Sequence, residues 1–329
     1  SREGTKLPDA VEEEIEAEML KGFSCEESHH LGKARRLDDA AGRYVEFCKS
    51  VFPSDLDLKG MKLYLDCANG AAYHVAPAVF HELGAEVVLE GVNPDGFNIN
   101  DGVGATHTDD LPARVAAAGA DYGRAFDGDA DRLIMADAEG HLYNGDALLY
   151  VIACDKIFQR NKKSGVVGTL MTNFALEKNF ARMGIEFARA KVGDRYVMEL
   201  LRQKGWLYGG ESSGHIIALD RQTTGDGIVS ALQVLTAMRS QKKSLAELTA
   251  DLHLMPQVLI NRKIEKGFDY KSDKPFVDEI DRVQKELGDR GRVLIRPSGT
   301  EPLLRIMVEA DDDALARSCA ERIAGALKV

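Results

Sequence analysis

The hydrophobic positions of this 329-residue chain change period several times. Val11, Ile15 and Met19 recur every fourth residue, the stripe of an amphipathic helix over about 9–20, and a second helix is expected over 38–51. The polar "CEESHHLGK" between them reads as a loop, and Pro53, Ser54 and Asp55 break the pattern. "MKLYLDCANG" (61–70) then reads as a strand running into a polar turn. "AYHVAPAVFHELG" (72–84) reads as a helix closed by glycine, and "AEVVLEG" (85–91) as a second strand. Strand, helix and strand in succession imply a βαβ unit with parallel strands. The plan recurs at 165–193 in "GVVGTLMTN", "FALEKNFARMG" and "IEFARAKVG". Each copy is a strand, an Asn-bearing turn, a glycine-closed helix and a strand ending in glycine, so a repeated α/β domain is expected. The last part differs. A strand at 256–264, a helix at 274–288 and two strands around a tight turn in 292–310 precede a final helix. That helix carries Leu315, Cys319, Ile323 and Leu327 behind Asp311, Asp312 and Asp313, an α+β module with a core-facing stripe.

Charge narrows the partners. Lys plus Arg number 42 against 53 Asp plus Glu, a net charge of -11. Such a chain is a poor non-specific nucleic-acid binder, and it holds anions only where its basic residues gather. No run of about 18 apolar residues suggests a transmembrane helix. The opening 20 residues lack the basic start and apolar stretch of a signal peptide, so a cytoplasmic protein without membrane partners is expected. The five cysteines show no CxxC spacing and read as reduced thiols. The eight histidines show no HExxH pattern, so zinc is not expected.

Three polar loops stand out from this frame. Asp127, Asp129 and Asp131 follow a small apolar run and precede Arg132 and a second apolar run. They project from a strand end, where α/β sheets bind ligands. Their mutual repulsion is relieved by a divalent cation, and oxygen-only donors favour Mg²⁺ or Ca²⁺. An EF-hand would need Gly and Glu where Arg132 and Ala138 stand, and is rejected. A phosphatase with Asp127 as nucleophile stays open. The second loop, "GGESSGH" (209–215), offers Glu211, Ser213 and His215 among three glycines, groups suited to vicinal sugar hydroxyls. In the third, Arg296, Ser298, Gly299, Thr300 and Arg305 make a phosphate cradle of two guanidiniums, two hydroxyls and a glycine-freed amide. A weaker fourth loop, "KVGDRY" (191–196), could bring Lys191 and Arg195 to a phosphate, with Asp194 holding one of them, or could equally be a solvated helix start.

In this order and spacing, "DGDADR", "GGESSGH" and "RPSGTEP" resemble the α-D-phosphohexomutase family. "GTKLPDAVEEEIEAEM", "ARAKVGDRYV", "TTGDGIVSALQVL" and "SGTEPLLRIMVE" are similar to its branch acting on glucosamine phosphates. The resemblance covers the whole chain. It implies repeated α/β mixed-sheet domains followed by a smaller α+β domain: 1–54 a remnant of a first α/β domain, 55–157 with the metal loop, 158–253 with the sugar loop, and 254–329 binding phosphate. The implied reaction interconverts glucosamine 6-phosphate and glucosamine 1-phosphate through a phosphoserine and a bisphosphorylated sugar, for UDP-N-acetylglucosamine synthesis. Asp127, Asp129 and Asp131 would hold Mg²⁺, with Arg132 beside it. Glu211 and Ser213 would grip sugar hydroxyls, the third loop would hold the non-reacting phosphate, and His215 and Lys191 would serve as charge or proton-transfer groups. A homodimer is compatible with the family.

Three departures follow. Ala130 stands where the family has Gly, and Ser212 where this branch more often has Gln or Asn. The phosphoserine loop, expected ahead of "GTKLP", is not in the sequence; "ESHHLG" (27–32) has no strand before it and is rejected as the nucleophile loop. Residues 1–329 alone are therefore expected to be inactive. A non-catalytic sugar-phosphate binding module and a sugar-phosphate phosphatase are the alternatives.

Overall fold

The computed structural model describes all residues except 3, 23, 266, 299, 300, 328 and 329. Two helices open the chain, α1 (Asp9–Met19) and α2 (Ala40–Ser50). The expected apolar stripe of α1 is present, but Val11, Ile15 and Met19 stay exposed. Helix α2 buries Val45 and Cys48 in the main core.

The first α/β unit comprises β1 (Lys62–Asp66), α3 (Val75–Glu82), β2 (Glu86–Glu90), α4 (Leu111–Ala117), β3 (Tyr122–Phe126), β4 (Leu133–Asp137) and β5 (Leu142–Tyr143). Its sheet runs β2-β1-β3-β4-β5, with β1 parallel to β2 and β3, and with β4 antiparallel to both its neighbours. The strand read over 61–70 stops at Asp66. The Asp66 carboxylate accepts from the Ala68 and Gly104 amides at 3.0 and 2.7 Å, and Ala68 and Asn69 both take positive φ, which turns the chain out of the sheet.

Helix α5 (Gly145–Cys154) leads to the second unit: β6 (Val166–Thr169), α6 (Phe174–Arg182), β7 (Phe187–Ala190), α7 (Asp194–Lys204), β8 (Tyr208–Gly210), β9 (Ile216–Ala218), α8 (Gly227–Gln241) and α9 (Leu245–Leu248). Its sheet runs β7-β6-β8-β9, parallel except for β9, which like β4 runs antiparallel to its neighbour. The repeat therefore extends beyond the βαβ core read from sequence. In each unit the third and fourth strands form an antiparallel hairpin, β3–β4 in one and β8–β9 in the other.

Helices α5 and α8 are buried along most of their length and pack together, so one core spans both units. Leu148, Leu149, Leu232 and Leu235 are fully buried there, each contributing about 1.5–3 kcal/mol. This shared core holds the two hairpins face to face.

The C-terminal module is β10 (Gln257–Lys263), α10 (Lys274–Leu287), β11 (Gly291–Pro297), β12 (Leu303–Ala310) and α11 (Asp313–Ala326), an antiparallel sheet in the order β10-β12-β11. It has its own core, into which Cys319, Ile323 and Leu327 point as expected. Polar contacts join it to the second unit: Arg292 to the Thr172 carbonyl at 2.8 Å, Gln257 to the Met171 carbonyl at 3.3 Å and Lys178 to the Asp289 carbonyl at 2.7 Å.

Candidate active site

The two matching hairpins carry the first two candidate loops. In the β3–β4 turn, the Ala130 amide bonds the Asp127 carbonyl at 3.0 Å. Ala130 itself has φ +62°, a left-handed conformation that glycine adopts freely and alanine does not. The turn is pinned from two sides. The Ala71 amide bonds the Gly128 carbonyl and the Gly227 amide, at the start of α8, bonds the Ala130 carbonyl, both at 2.8 Å. Asp226 caps α8 through the Val229 amide at 2.9 Å and accepts the Tyr44 hydroxyl at 2.7 Å.

Asp127, Asp129 and Asp131 each offer a carboxylate oxygen within 4.8 Å of the others. Asp127 is buried, and its Oδ1 accepts the Arg132 amide at 3.1 Å. Burial pushes its carboxyl up, and Asp131 and Asp129 add to the rise. Asp131 turns Oδ2 to His215 Nδ1 at 3.0 Å, while its Oδ1 is buried with no hydrogen-bond partner. The His215 bond holds the Asp131 carboxyl below its ordinary value, against the pull of burial. The Arg132 guanidinium lies 3.4 Å from Asp127 and 3.7 Å from Asp131. Three converging carboxylates, one with an orphaned buried oxygen, form a donor set that fits a hard divalent cation.

The β8–β9 turn meets this one through its backbone. The Leu133 amide bonds the Gly214 carbonyl at 3.1 Å, and Arg132 and His215 pair as an isolated bridge. Gly214 has φ +97°, and a Cβ there would run into the Leu133 backbone. The His215 ring is only 4% exposed. Glu211 accepts the Gly193 amide at 2.9 Å, which brings the 191–193 loop alongside. Ser213 is exposed at the turn, and the exposed Lys191 ammonium sits 5.5 Å from the Tyr196 ring centre.

The third loop gathers on the C-terminal sheet, apart from the hairpin pair. Arg296 and Arg305 face each other across β11 and β12. Arg305 Nε is buried without a hydrogen-bond partner, and its ion-pair contact with Glu301 is 3.8 Å long. Burial, and then Arg305, lower the Arg296 guanidinium from its usual value. Ser298 Oγ accepts the Glu301 amide at 3.3 Å. Gly299 and Thr300 lie outside the described residues.

The fourth loop needs correcting. Asp194 begins α7 and pairs with Lys6, not with Lys191 or Arg195. Arg195 is held by Asp9, by Glu12 at 2.8 Å and by the Leu7 carbonyl at 3.3 Å. Lys6, Tyr44 and Asp226 were not singled out from sequence. Asp226 lies in "TTGDG", a quoted segment given no role, and Lys6 lies in "GTKLP".

Three family descriptions match the chain in succession: phosphoglucomutase/phosphomannomutase alpha/beta/alpha domain II over residues 42–140, alpha/beta/alpha domain III over 144–254, and the C-terminal domain over 259–326. The chain belongs to the phosphoglucomutase/phosphomannomutase family, the α-D-phosphohexomutases. Within it the similarity is to phosphoglucosamine mutases. That of Janthinobacterium sp. (strain Marseille) is 59% identical over 327 residues, 99% of this chain and 73% of the relative. That of Azoarcus sp. (strain BH72) is 57% identical over 326 residues, 99% of this chain and 72% of the relative. The fold is also that of a phosphoglucomutase/phosphomannomutase family protein from Burkholderia thailandensis, with a TM-score of 0.75 at 23% identity over 98% of this chain and 70% of the other. Aspergillus fumigatus N-acetylphosphoglucosamine mutase, solved with GlcNAc-6P and magnesium, gives 0.68 at 20% identity over 87% of this chain and 70% of the other. Among the described residues no helix is long and apolar enough to cross a membrane.

Proposed function

We propose that this chain carries the metal, sugar and phosphate sites of a cytoplasmic phosphoglucosamine mutase, an isomerase that interconverts glucosamine 6-phosphate and glucosamine 1-phosphate. The observation that carries the reading is the pairing of the β3–β4 and β8–β9 hairpins. It sets three carboxylates able to hold a cation beside a loop bearing carboxylate and hydroxyl groups suited to a sugar, in a chain 57–59% identical to phosphoglucosamine mutases.

Asp127, Asp129 and Asp131 would hold Mg²⁺, which when bound offsets charge on the phosphoryl group in transfer. Arg132, with its side chain 44% exposed, presents a guanidinium at the edge of the triad for a phosphoryl oxygen. Glu211 and Ser213 take sugar hydroxyls, and the Glu211 bond to the Gly193 amide fixes one carboxylate oxygen while leaving the other for substrate. Arg296, Ser298 and Arg305, with Gly299 and Thr300, hold the phosphate that is not reacting. Lys191 is an exposed charge at the same mouth. His215 is better suited to orienting Asp131 than to carrying protons to the sugar, because it is buried and both its nitrogens face carboxylates.

Titration calorimetry with Mg²⁺ tests the site. Wild-type chain should bind Mg²⁺, and Asp129→Asn should bind at least tenfold more weakly with the same hydrogen-exchange profile elsewhere. Equal Mg²⁺ affinity in the two proteins would remove the triad from the account.

A further inference from the structure

A chain of charged contacts runs from the N-terminal segment to the metal loop. His215 Nδ1 meets Asp131 Oδ2 at 3.0 Å, and a carboxylate only accepts, so Nδ1 donates. The opposite ring nitrogen, Nε2, is buried without a hydrogen-bond partner and faces Asp194 Oδ2 at 3.6 Å. That same Asp194 oxygen is held by the Lys6 ammonium. Burial pulls the Asp194 carboxyl up, but Lys6 and His215 outweigh it and keep it below its usual value. Lys6, Asp194, His215, Ile217, Thr223 and Thr224 line one cavity of about 220 Å³.

The surroundings leave the ring little freedom. A Cβ on Gly225 would strike the imidazole, so the backbone lies flat against it on that side. The segment that supplies Lys6 is itself tied down, by Arg195 to Asp9, Glu12 and the Leu7 carbonyl, and by the Thr223 hydroxyl to the Gly4 carbonyl. The ring orientation matters because Asp131 has two oxygens. While His215 holds Oδ2, Oδ1 carries no hydrogen bond and has only the Arg132 guanidinium, 3.7 Å away, so it is open to a cation.

We propose that Asp194 and Lys6 are positioning residues: Lys6 fixes Asp194, the paired Asp194 stands 3.6 Å from Nε2 and closes off rotation of the His215 ring on that side, and His215, through its 3.0 Å bond, sets the rotation of Asp131 toward the triad. Residues 4–12 thereby report their seating on α7 to the metal loop. The inference rests on the triad's being a cation site, as proposed above, but it concerns residues that touch neither cation nor sugar. Partners outside a metal's own ligands orient those ligands, and losing one that bonds a ligand directly costs roughly 10- to 100-fold in affinity. Asp194, one step further out, should cost about three- to tenfold.

The test uses the 329-residue chain labelled at histidine with ¹⁵N, with the His215 signals assigned by their loss in His215→Gln. Asp194→Asn is expected to shift the His215 Nε2 resonance and to weaken Mn²⁺ binding, read by electron paramagnetic resonance, three- to tenfold. Lys6→Met should move both readouts in the same direction by less, and Lys6→Arg should restore them. Lys6 is half-exposed, so its variants serve even if Asp194→Asn fails to fold. His215 resonances at wild-type positions in the folded Asp194→Asn and Lys6→Met proteins, or in Lys6→Met alone if Asp194→Asn does not fold, would overturn the proposal. Absence of Mn²⁺ binding by the wild-type chain would instead overturn the cation site, while the His215 resonances still decide the positioning claim.

Discussion

Replacing Arg296 by methionine should push affinity and stability in opposite directions. Arg296 and Arg305 are directly opposed across β11 and β12, and the Glu301 contact to Arg305 is a long 3.8 Å. Like charges facing across a strand pair destabilise it by about 0.2–1 kcal/mol. Methionine keeps an apolar stem, so packing is largely preserved while the repulsion goes. The ligand-free C-terminal module should therefore gain about 0.2–1 kcal/mol. A hydrogen bond to a charged group contributes about 1.5–3 kcal/mol, so glucosamine 6-phosphate should bind roughly 10- to 150-fold more weakly. The one tryptophan, Trp206, lies in the second α/β unit and does not report on this module. Hydrogen exchange of the β11 and β12 amides gives the stability, and phosphorus NMR of the titrated sugar phosphate gives the affinity. Unchanged affinity together with faster exchange would make Arg296 a structural residue and refute the cradle.

Two further outcomes follow from buried charges. Arg124 is fully buried beside the Phe80 ring, none of its three nitrogens has a hydrogen-bond partner, and burial pushes it down to about 9; Arg124→Leu should stabilise the first unit by about 1–4 kcal/mol, seen as slower exchange in β1 and β3, and faster exchange would contradict this. Burial pushes the Asp146 carboxyl up to about 6, so between its ordinary value and that point the folded chain binds more protons than the unfolded one. Stability from this group is then lost as pH rises from about 4 to 6, and Asp146→Asn should flatten that part of the urea-denaturation profile; an unchanged slope would rule the group out.

Patterning made the repeat legible because each βαβ unit is local: strand, turn, glycine-closed helix and strand lie within about 30 residues. The hairpins that complete each sheet were harder to read. Strand β8 is the three residues Tyr208–Gly210, two of them glycines, and β9 is equally short. Their pairing rests on the buried α5–α8 core, which periodicity cannot distinguish from any apolar helix. Loop chemistry singled out the Asp127–Asp131 turn, the 209–215 turn and the Arg296 loop as candidates, since carboxylate clusters and Arg-Pro-Ser-Gly-Thr turns carry their meaning within a few residues. Sequence distance hid the rest. Lys6 and Asp194 are far apart in the chain, as are Tyr44 and Asp226, and neither pair leaves a periodic trace. The segment 191–196 was open between a phosphate loop and a helix start for the same reason, because Asp9 and Glu12, the acidic partners of Arg195, lie in another segment.

The central claim is that the triad, the 209–215 turn and the Arg296 loop of this chain serve a phosphohexomutase reaction on glucosamine phosphates. Joining this chain to the part of the Janthinobacterium relative that it does not span and following glucosamine 6-phosphate by phosphorus NMR, with Mg²⁺ and a trace of glucosamine 1,6-bisphosphate, tests it directly. The account predicts Mg²⁺-dependent appearance of glucosamine 1-phosphate, abolished by Asp129→Asn in the same fusion. A folded fusion that produces no glucosamine 1-phosphate, or that releases inorganic phosphate in its place, would contradict it.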